Sequence, residues 1–416
     1  MKTIYLSICM GLLICCFTPK SYAQENGVDF VTYSGIVKDA ASGKRVENAT
    51  VSVLDSHIGT VTNADGEFSL KVPRTIAAGS LQITHIGYYN LIQTVNGGNI
   101  SDLAISLVGQ VRTLPEINVI GGDARTLIDQ VIEKIPVNYS LVNHQMLGFY
   151  RETIQKRRKY INISEAVIDT YKSSYKYDVD GDRVRIVKGR KIVTQNKKDT
   201  LGVKLLGGPT ISIYMDIVKN PFLLFDKEQI EYYTFRYKNI VMIGERLNYE
   251  IEFIPAHVLP YALHKGVLYI DMENLGVARA EFEMDMSDKN KVTREILKKK
   301  PVGLRFKPEE LTYVISYTYR DSLYYLNYAR NELRFKCDWK RRLFATNYTV
   351  VSEMVTTDIK DEEVSKIPRK EAFRVNQVLS DQVTSFMDPN FWESYNIIEP
   401  SESLESGVKK LRKQRE

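Results

Sequence analysis

Five histidines, His57, His85, His144, His257 and His264, are the side chains of this 416-residue chain best suited to acid–base chemistry or metal ligation. None stands in His-x-x-Glu or His-Glu-x-x-His spacing, so the helical zinc site of a metallopeptidase is absent from the sequence. His257 and His264 flank a short stretch around Pro260, a spacing that suits a loop better than a metal site. No Gly-x-Ser-x-Gly elbow and no phosphate-cradling Gly-x-x-x-x-Gly-Lys-Ser/Thr occurs. Asp178-Val179-Asp180-Gly181-Asp182 is acidic enough for calcium. Its glycine stands fourth, however, where a helix–loop–helix calcium loop needs it sixth, so a hairpin tip is expected. Asn63-Ala64-Asp65-Gly66-Glu67 lacks the spaced oxygen donors of such a loop and reads as a turn. Glu281 and Glu283 could form a glycosidase pair only inside a cleft, which the sequence does not supply. Cys337 shares the apolar side of the alternating run Leu333 to Trp339, so it reads as a small buried hydrophobe, not a nucleophile. No catalytic, cofactor-binding or metal-binding residue is therefore assigned, and a non-enzymatic protein without a cofactor is expected.

The elements that would carry any site come from composition and pattern. With 44% hydrophobic and 26% charged residues the chain is an ordinary folded protein, long enough for two or three domains. Its 26 Tyr against 15 Phe and 2 Trp favour half-buried sheets, because Tyr fits a surface with one dry and one wet side. Residues 1–23 have the layout of a secretory signal peptide: Lys2, an apolar run from Ile4 to Phe17, and Ser21-Tyr22-Ala23 before Gln24. Pro19 and Lys20 argue against a retained membrane anchor. Ile14 before Cys15, and Cys15 before Cys16, argue against lipidation. Cleavage would lower the net charge from +6 to +4 by removing Lys2 and Lys20, which is too mild to imply a nucleic-acid partner. It would also leave Cys337 as the sole thiol, so the fold must rest on its core and sheets.

From 28 to 109, short strands alternate with turn signals, the pattern of a β-sandwich of about seven strands; Asp65-Gly66 is a strong hairpin signal. Gly35-Ile36-Val37-Lys38-Asp39, Ala49-Thr50-Val51, the run Gly59 to Phe68 and Ile86-Gly87-Tyr88 together resemble the carboxypeptidase-regulatory-like domain. That resemblance implies a transthyretin-like sandwich and an envelope setting, since the module is frequent in outer-membrane and secreted proteins of the Bacteroidetes. It does not imply peptidase activity, because carboxypeptidases carry their zinc site on a separate domain.

Residues 110–136 form a linker and helix. Leu114-Pro115-Glu116-Ile117-Asn118-Val119 resembles the segment that follows this module in TonB-dependent receptors, where it can pair as an added strand; an extended linker ending at Gly121-Gly122 explains it without a partner. Asp123 is expected to cap a helix whose Leu127, Ile128, Val131, Ile132 and Ile135 share one face, ended by Pro136. From 137 to 355, charged–apolar alternation such as Tyr249 to Phe253 and Val277 to Met286 predicts an antiparallel meander with one dry face. Ile211 to Phe225 is expected to act as a helix or lid over it. The spacing Gly244, Tyr249 to Pro255, Gly266 to Asp271 and Val277-Ala278-Arg279 is similar to the half-barrel sheets of periplasmic lipoprotein carriers, which implies a hydrophobic ligand on that face. Self-coverage by the protein's own helices is the competing expectation. In 356–416, a charge-rich connection leads to the aromatic cluster Phe391 to Pro400 and a final helix capped by Ser401. With Ala124 to Ile128, this segment resembles Bacteroidetes proteins of about this length that begin with the same module. The expected protein is mainly β: a seven-stranded transthyretin-like sandwich plus a larger half-barrel-like antiparallel sheet with a few packing helices. The expected role is a binding or assembly module at the periplasm or outer membrane, with an envelope protein or a hydrophobic ligand as partner. A peptide or glycan hydrolase and an outer-membrane barrel are the alternatives.

Overall fold

The computed structural model describes residues 29–76, 79–110, 123–195, 207–297, 302–339, 344–385 and 391–414. The signal-peptide reading of 1–23 and the strand-donor reading of 114–122 lie outside the described residues.

The sandwich is made of two sheets. β1 (Phe30–Asp39) lies between β4 (Glu67–Pro73), antiparallel, and β7 (Ile100–Leu107), parallel. The second sheet runs β3 (Gly59–Val61), β2 (Thr50–Val53), β5 (Ser80–Thr84) and β6 (Leu91–Thr94), all antiparallel. Alternation sets the core: Tyr33, Val51, Leu70, Leu81 and Ile83 are fully buried between the sheets. Gly66 has φ 71°, and a Cβ there would stand 2.5 Å from the Val37 carbonyl oxygen, so the turn after Asp65 requires glycine.

The larger domain is one ten-stranded antiparallel sheet. Its spatial order is β10 (Arg183–Val193), β9 (Lys159–Lys172), β8 (His144–Lys156), β17 (Thr346–Lys360), β16 (Leu323–Trp339) and β15 (Leu304–Arg320), then β14 (Val277–Met284), β13 (His264–Asp271), β12 (Arg246–Pro255) and β11 (Tyr233–Ile243). β10 and β11 are its edges, so the sheet is open and no closed barrel forms. No helix among the described residues is long and apolar enough to cross a membrane.

One face of this sheet is dry. Met146, Ile168, Ile251, Leu268, Ala280, Ile315 and Met354 point into a single core covered by α1 (Ala124–Asn138), α2 (Gly208–Tyr214) with its following turns, and the stretch around α4 (Leu379–Gln382). The Asp123 side chain accepts from the Arg125 N–H at 3.3 Å at the start of α1, and Pro136 sits inside the last turn instead of ending the helix. α2 is shorter than the Ile211–Phe225 expectation: the chain leaves the helix at Met215 and Asp216, and 217–219 and 221–223 are turns. At one end of the sheet, α3 (Lys289–Ile296) inserts Val292 beside Leu304, Phe306, Phe335 and Cys337, which is buried as expected and has its thiol pushed up to about 11 by burial. β15 and β16 each run through 17 residues. β17 continues to Lys360, past the boundary expected at Val355.

Candidate functional site

The second face of the large sheet is charged, and the cross-strand pairing explains how it folds. Arg151 on β8 pairs with Glu165 on β9 at 2.8 Å and with Glu353 on β17 at 3.2 Å. Arg190 on β10 reaches the other oxygen of Glu165 at 2.8 Å. On β16, Arg330 holds Glu332 at 2.8 Å, and Arg334 contacts Glu332 and, at 3.1 Å, Glu310. Burial alone would raise Glu165, but Arg151 and Arg190 outweigh it and hold its carboxyl below the usual range.

A strap from the C-terminal segment clamps the sandwich onto this face. Phe391 and Trp392 pack on Phe149, with the Arg190 guanidinium 4.8 Å above the Trp392 ring. Ile397 and Ile398 lie between Val61 of the sandwich and Tyr328 and Val355 of the sheet. The strap backbone is tied on both sides: the Thr60 hydroxyl donates to the Ile397 carbonyl at 2.9 Å, and Arg151 donates to the Ile398 carbonyl at 2.6 Å. Asn396 makes a reciprocal pair with the Lys71 backbone at 2.7 and 2.9 Å. The strap ends in α5 (Glu402–Arg412), whose Ser401 cap accepts from the Leu404 N–H at 3.3 Å. Leu404 and Leu411 pack on Ile163 and Ile192, and Gly407 lies so close to Tyr160 that a Cβ would stand 2.5 Å from its ring.

These three parts enclose a cleft of about 750 Å³. Its floor presents Thr153 and Gln155 of β8 and Asn347 and Thr349 of β17 between the paired arginines. Asn48 and Asn63 of the sandwich form one wall, Glu399 and Ser401 of the strap another, and Arg157 and Arg158 stand at the mouth. Burial raises the Glu399 carboxyl, only partly offset by Arg151 and Lys71. A second polar cleft, of about 540 Å³, separates the other sandwich sheet from β12 to β16. There Asp271 takes Arg246 and, at 2.5 Å, the Tyr324 hydroxyl.

Under the dry face lies an ionic cluster. Lys172 sits 2.9 Å from Asp182 and 2.7 Å from Asp216. Lys219 reaches Asp182 at 2.6 Å and the Ser173 carbonyl at 2.5 Å. The hydroxyls of Tyr175 and Tyr317 each donate to Asp216 at 2.7 Å. None of the four charged side chains is more than 1% exposed. Burial would lower Lys172, but the two aspartates hold it above its usual value; Lys219, desolvated and facing Lys172, falls to about 8. The stretch 178–182 lies in the hairpin connection between β9 and β10 as expected, as a turn of 3-10 helix after which Asp182 is buried. The cluster nails the segment after α2 to strand ends on the sheet, a positioning role.

Two of the histidines, His57 of the sandwich and His144 of β8, pack edge-on against the same Tyr325 ring, at 5.3 and 5.5 Å. The others are dispersed: His264 lies against Phe282 and Tyr313, His257 beside Tyr232, and His85 against Tyr88. Burial drives His144 and His264 down to about 4, which leaves both neutral at ordinary pH. Glu281 pairs with Arg279 along β14 at 2.6 Å and Glu283 with Lys265 across to β13 at 3.0 Å, so each acid is already held in an ion pair. Among the described residues no group of three or more His, Cys, Asp or Glu is placed to hold a metal ion.

One buried acid has a measurable consequence. Glu152, 3% exposed, is pushed up to about 7 by burial, with the Tyr150 hydroxyl donating to it at 3.4 Å. Its folded-state value lies above the ordinary 4.5, so stability is full below about pH 4.5 and falls as pH rises from there to about 7. Glu152→Gln is therefore expected to leave stability unchanged below about pH 4.5, to raise it progressively between pH 4.5 and 7, and to raise it by about 3 kcal/mol above that. Urea denaturation across the pH range checks this.

No curated protein matches the chain. Among solved structures, it is similar at 12% identity to a DUF1329 family protein from Desulfovibrio piger (TM-score 0.24, covering 58% of this chain and 95% of that one). It is also similar at 12% identity to MucB in complex with MucA (TM-score 0.18, 58% and 100%). Residues 33–119 match the CarboxypepD_reg-like domain family, so the N-terminal sandwich is a domain of that family.

Proposed function

We propose that the protein is a non-enzymatic binding or assembly module of the cell envelope, and that its working site is the cleft between sandwich, charged sheet face and strap. The observation that carries this is convergence: stretches around 48–63, 151–160, 330–353 and 398–404 line one cavity. Its volume falls in the ordinary range for ligand sites. The lining of amides, hydroxyls and paired arginines suits an extended polar segment of a partner protein, since alternate strand residues such as Asn347 and Thr349 face it in line. An acyl chain would find its complement on the opposite face, which α1, α2 and the stretch around α4 already cover.

Two measurements test this. Solvent extraction of purified mature protein is expected to yield no stoichiometric lipid; one acyl ligand per chain would overturn the polar reading. Asn347→Trp fills the cleft from an exposed strand position. It is expected to abolish partner capture without changing thermal melting, and unchanged capture would contradict the site.

A further inference from the structure

The two ends of the large sheet differ in charge: unpaired cations gather at one, although Glu309 pairs with Lys336 and Asp338 faces Arg305 there, and acids outnumber Lys360 at the other. Register places the end of β8, the start of β9, the end of β16 and the starts of β15 and β17 at one end: Lys156 opposes Tyr348, Lys336 opposes Asn347, and Arg305 opposes Asp338. Lys159, Lys289, Arg305 and Lys307 are exposed there, and among the described residues none of them has a carboxylate partner. The β8–β9 turn adds Arg157 and Arg158 at φ 49° and 65°. Two consecutive left-handed positions in a two-residue hairpin favour Asn-Gly, so arginines hold them against conformational preference, the kind of outlier that points to function. Two large apolar side chains, Val302 at 100% and Phe344 at 75% exposure, stand bare at the same end, beside the starts of β15 and β17. The opposite end of the sheet carries exposed Asp321, Asp361, Glu362 and Glu363.

We propose that this basic end is a docking surface for an anionic lipid bilayer, with the cations over the headgroups and Phe344 and Val302 inserted between them. Exposed apolar tips ringed by cations favour a bilayer over a soluble acidic chain, because the tips gain only where hydrocarbon is offered. Five adjacent strand ends at 4.7–4.9 Å spacing give a front about 20 Å wide. The acidic far end turns the molecule's field so that this front leads. The proposal does not rest on the cleft reading, because Lys159, Arg305, Lys307 and Phe344 lie outside the cleft lining.

The test is sedimentation of the mature chain with vesicles of phosphatidylethanolamine and phosphatidylglycerol, against vesicles of phosphatidylcholine alone. Binding is expected to the first only and to weaken with salt. K159E/R305E/K307E is expected to weaken it roughly 100-fold, at about fivefold per cation removed, whereas K44E/R45E/K227E, with the same charge change on exposed residues elsewhere, retains it. Phe344→Ser is expected to weaken vesicle binding while leaving binding to soluble dextran sulfate unchanged. Equal loss in both triple variants, equal binding to both vesicle types, or no effect of Phe344→Ser on vesicle binding would overturn the proposal, the last by pointing to an acidic polymer. All altered side chains are exposed, and melting curves report that each variant is folded.

Discussion

Lys172→Met is expected to lower the free energy of unfolding by about 3–5 kcal/mol, the cost of stranding buried charge. In the native cluster two lysines balance two aspartates out of contact with water. Removing Lys172 leaves Asp216 with the hydroxyls of Tyr175 and Tyr317 and the Lys219 backbone N–H, and the cluster with a net negative charge. The companion K172M/D216N restores neutrality, keeps an oxygen for one tyrosine and leaves Lys219 paired with Asp182, so it is expected to recover at least half of the loss. Urea denaturation of the three proteins decides the matter. A single variant as stable as wild type would show that the cluster does not hold the segment after α2.

Trp392→Ala is expected to cost a similar amount, about 3–5 kcal/mol, by opening a cavity between strap and sheet. Trp392 is 4% exposed, meets Phe149 edge-on at 5.4 Å and lies under Arg190. Its indole N–H has no partner among the described residues, so Trp392→Phe keeps most of the ring contact, sheds that group and is expected to cost less than about 1.5 kcal/mol. The alanine variant should also expose 391–414 to limited proteolysis while the sandwich core stays protected. If Trp392→Ala leaves the strap protected, Ile397 and Ile398 alone hold it.

Much of this architecture is legible from residue pattern, and the exceptions share a cause. The sandwich shows through because its strands alternate strictly and its turns carry Asp65-Gly66-type signals. β12 to β17 show through because charged and apolar faces segregate cleanly. β8 to β10 do not, because Arg151, Glu152, Glu165, Asp169 and Lys172 are all buried charges, so the usual equation of charge with solvent fails there. Their compensation comes from cross-strand and long-range partners: Glu165 for Arg151, Asp216 for Lys172. The hairpin tip at 178–182 is legible, but the burial of Asp182 is not, for the same reason. The aromatic stretch around Trp392 stands out in the sequence only as a cluster; that it clamps two domains is visible only when Thr60 and Arg151 are seen holding consecutive carbonyls. The cleft is the least legible feature, since its lining side chains are separated by up to some 350 positions along the chain.

The central claim is that strap, sandwich and charged sheet face together make one partner-binding cleft. The most direct measurement places a photo-crosslinking side chain at Gln155 or Asn347 on the cleft floor and, as control, at Lys238 on β11, in cells that make the protein natively, with and without Trp392→Ala. A discrete adduct from both floor positions, absent from Lys238 and lost with Trp392→Ala, is the predicted result. No adduct from the floor, or the same adduct from Lys238, would contradict it.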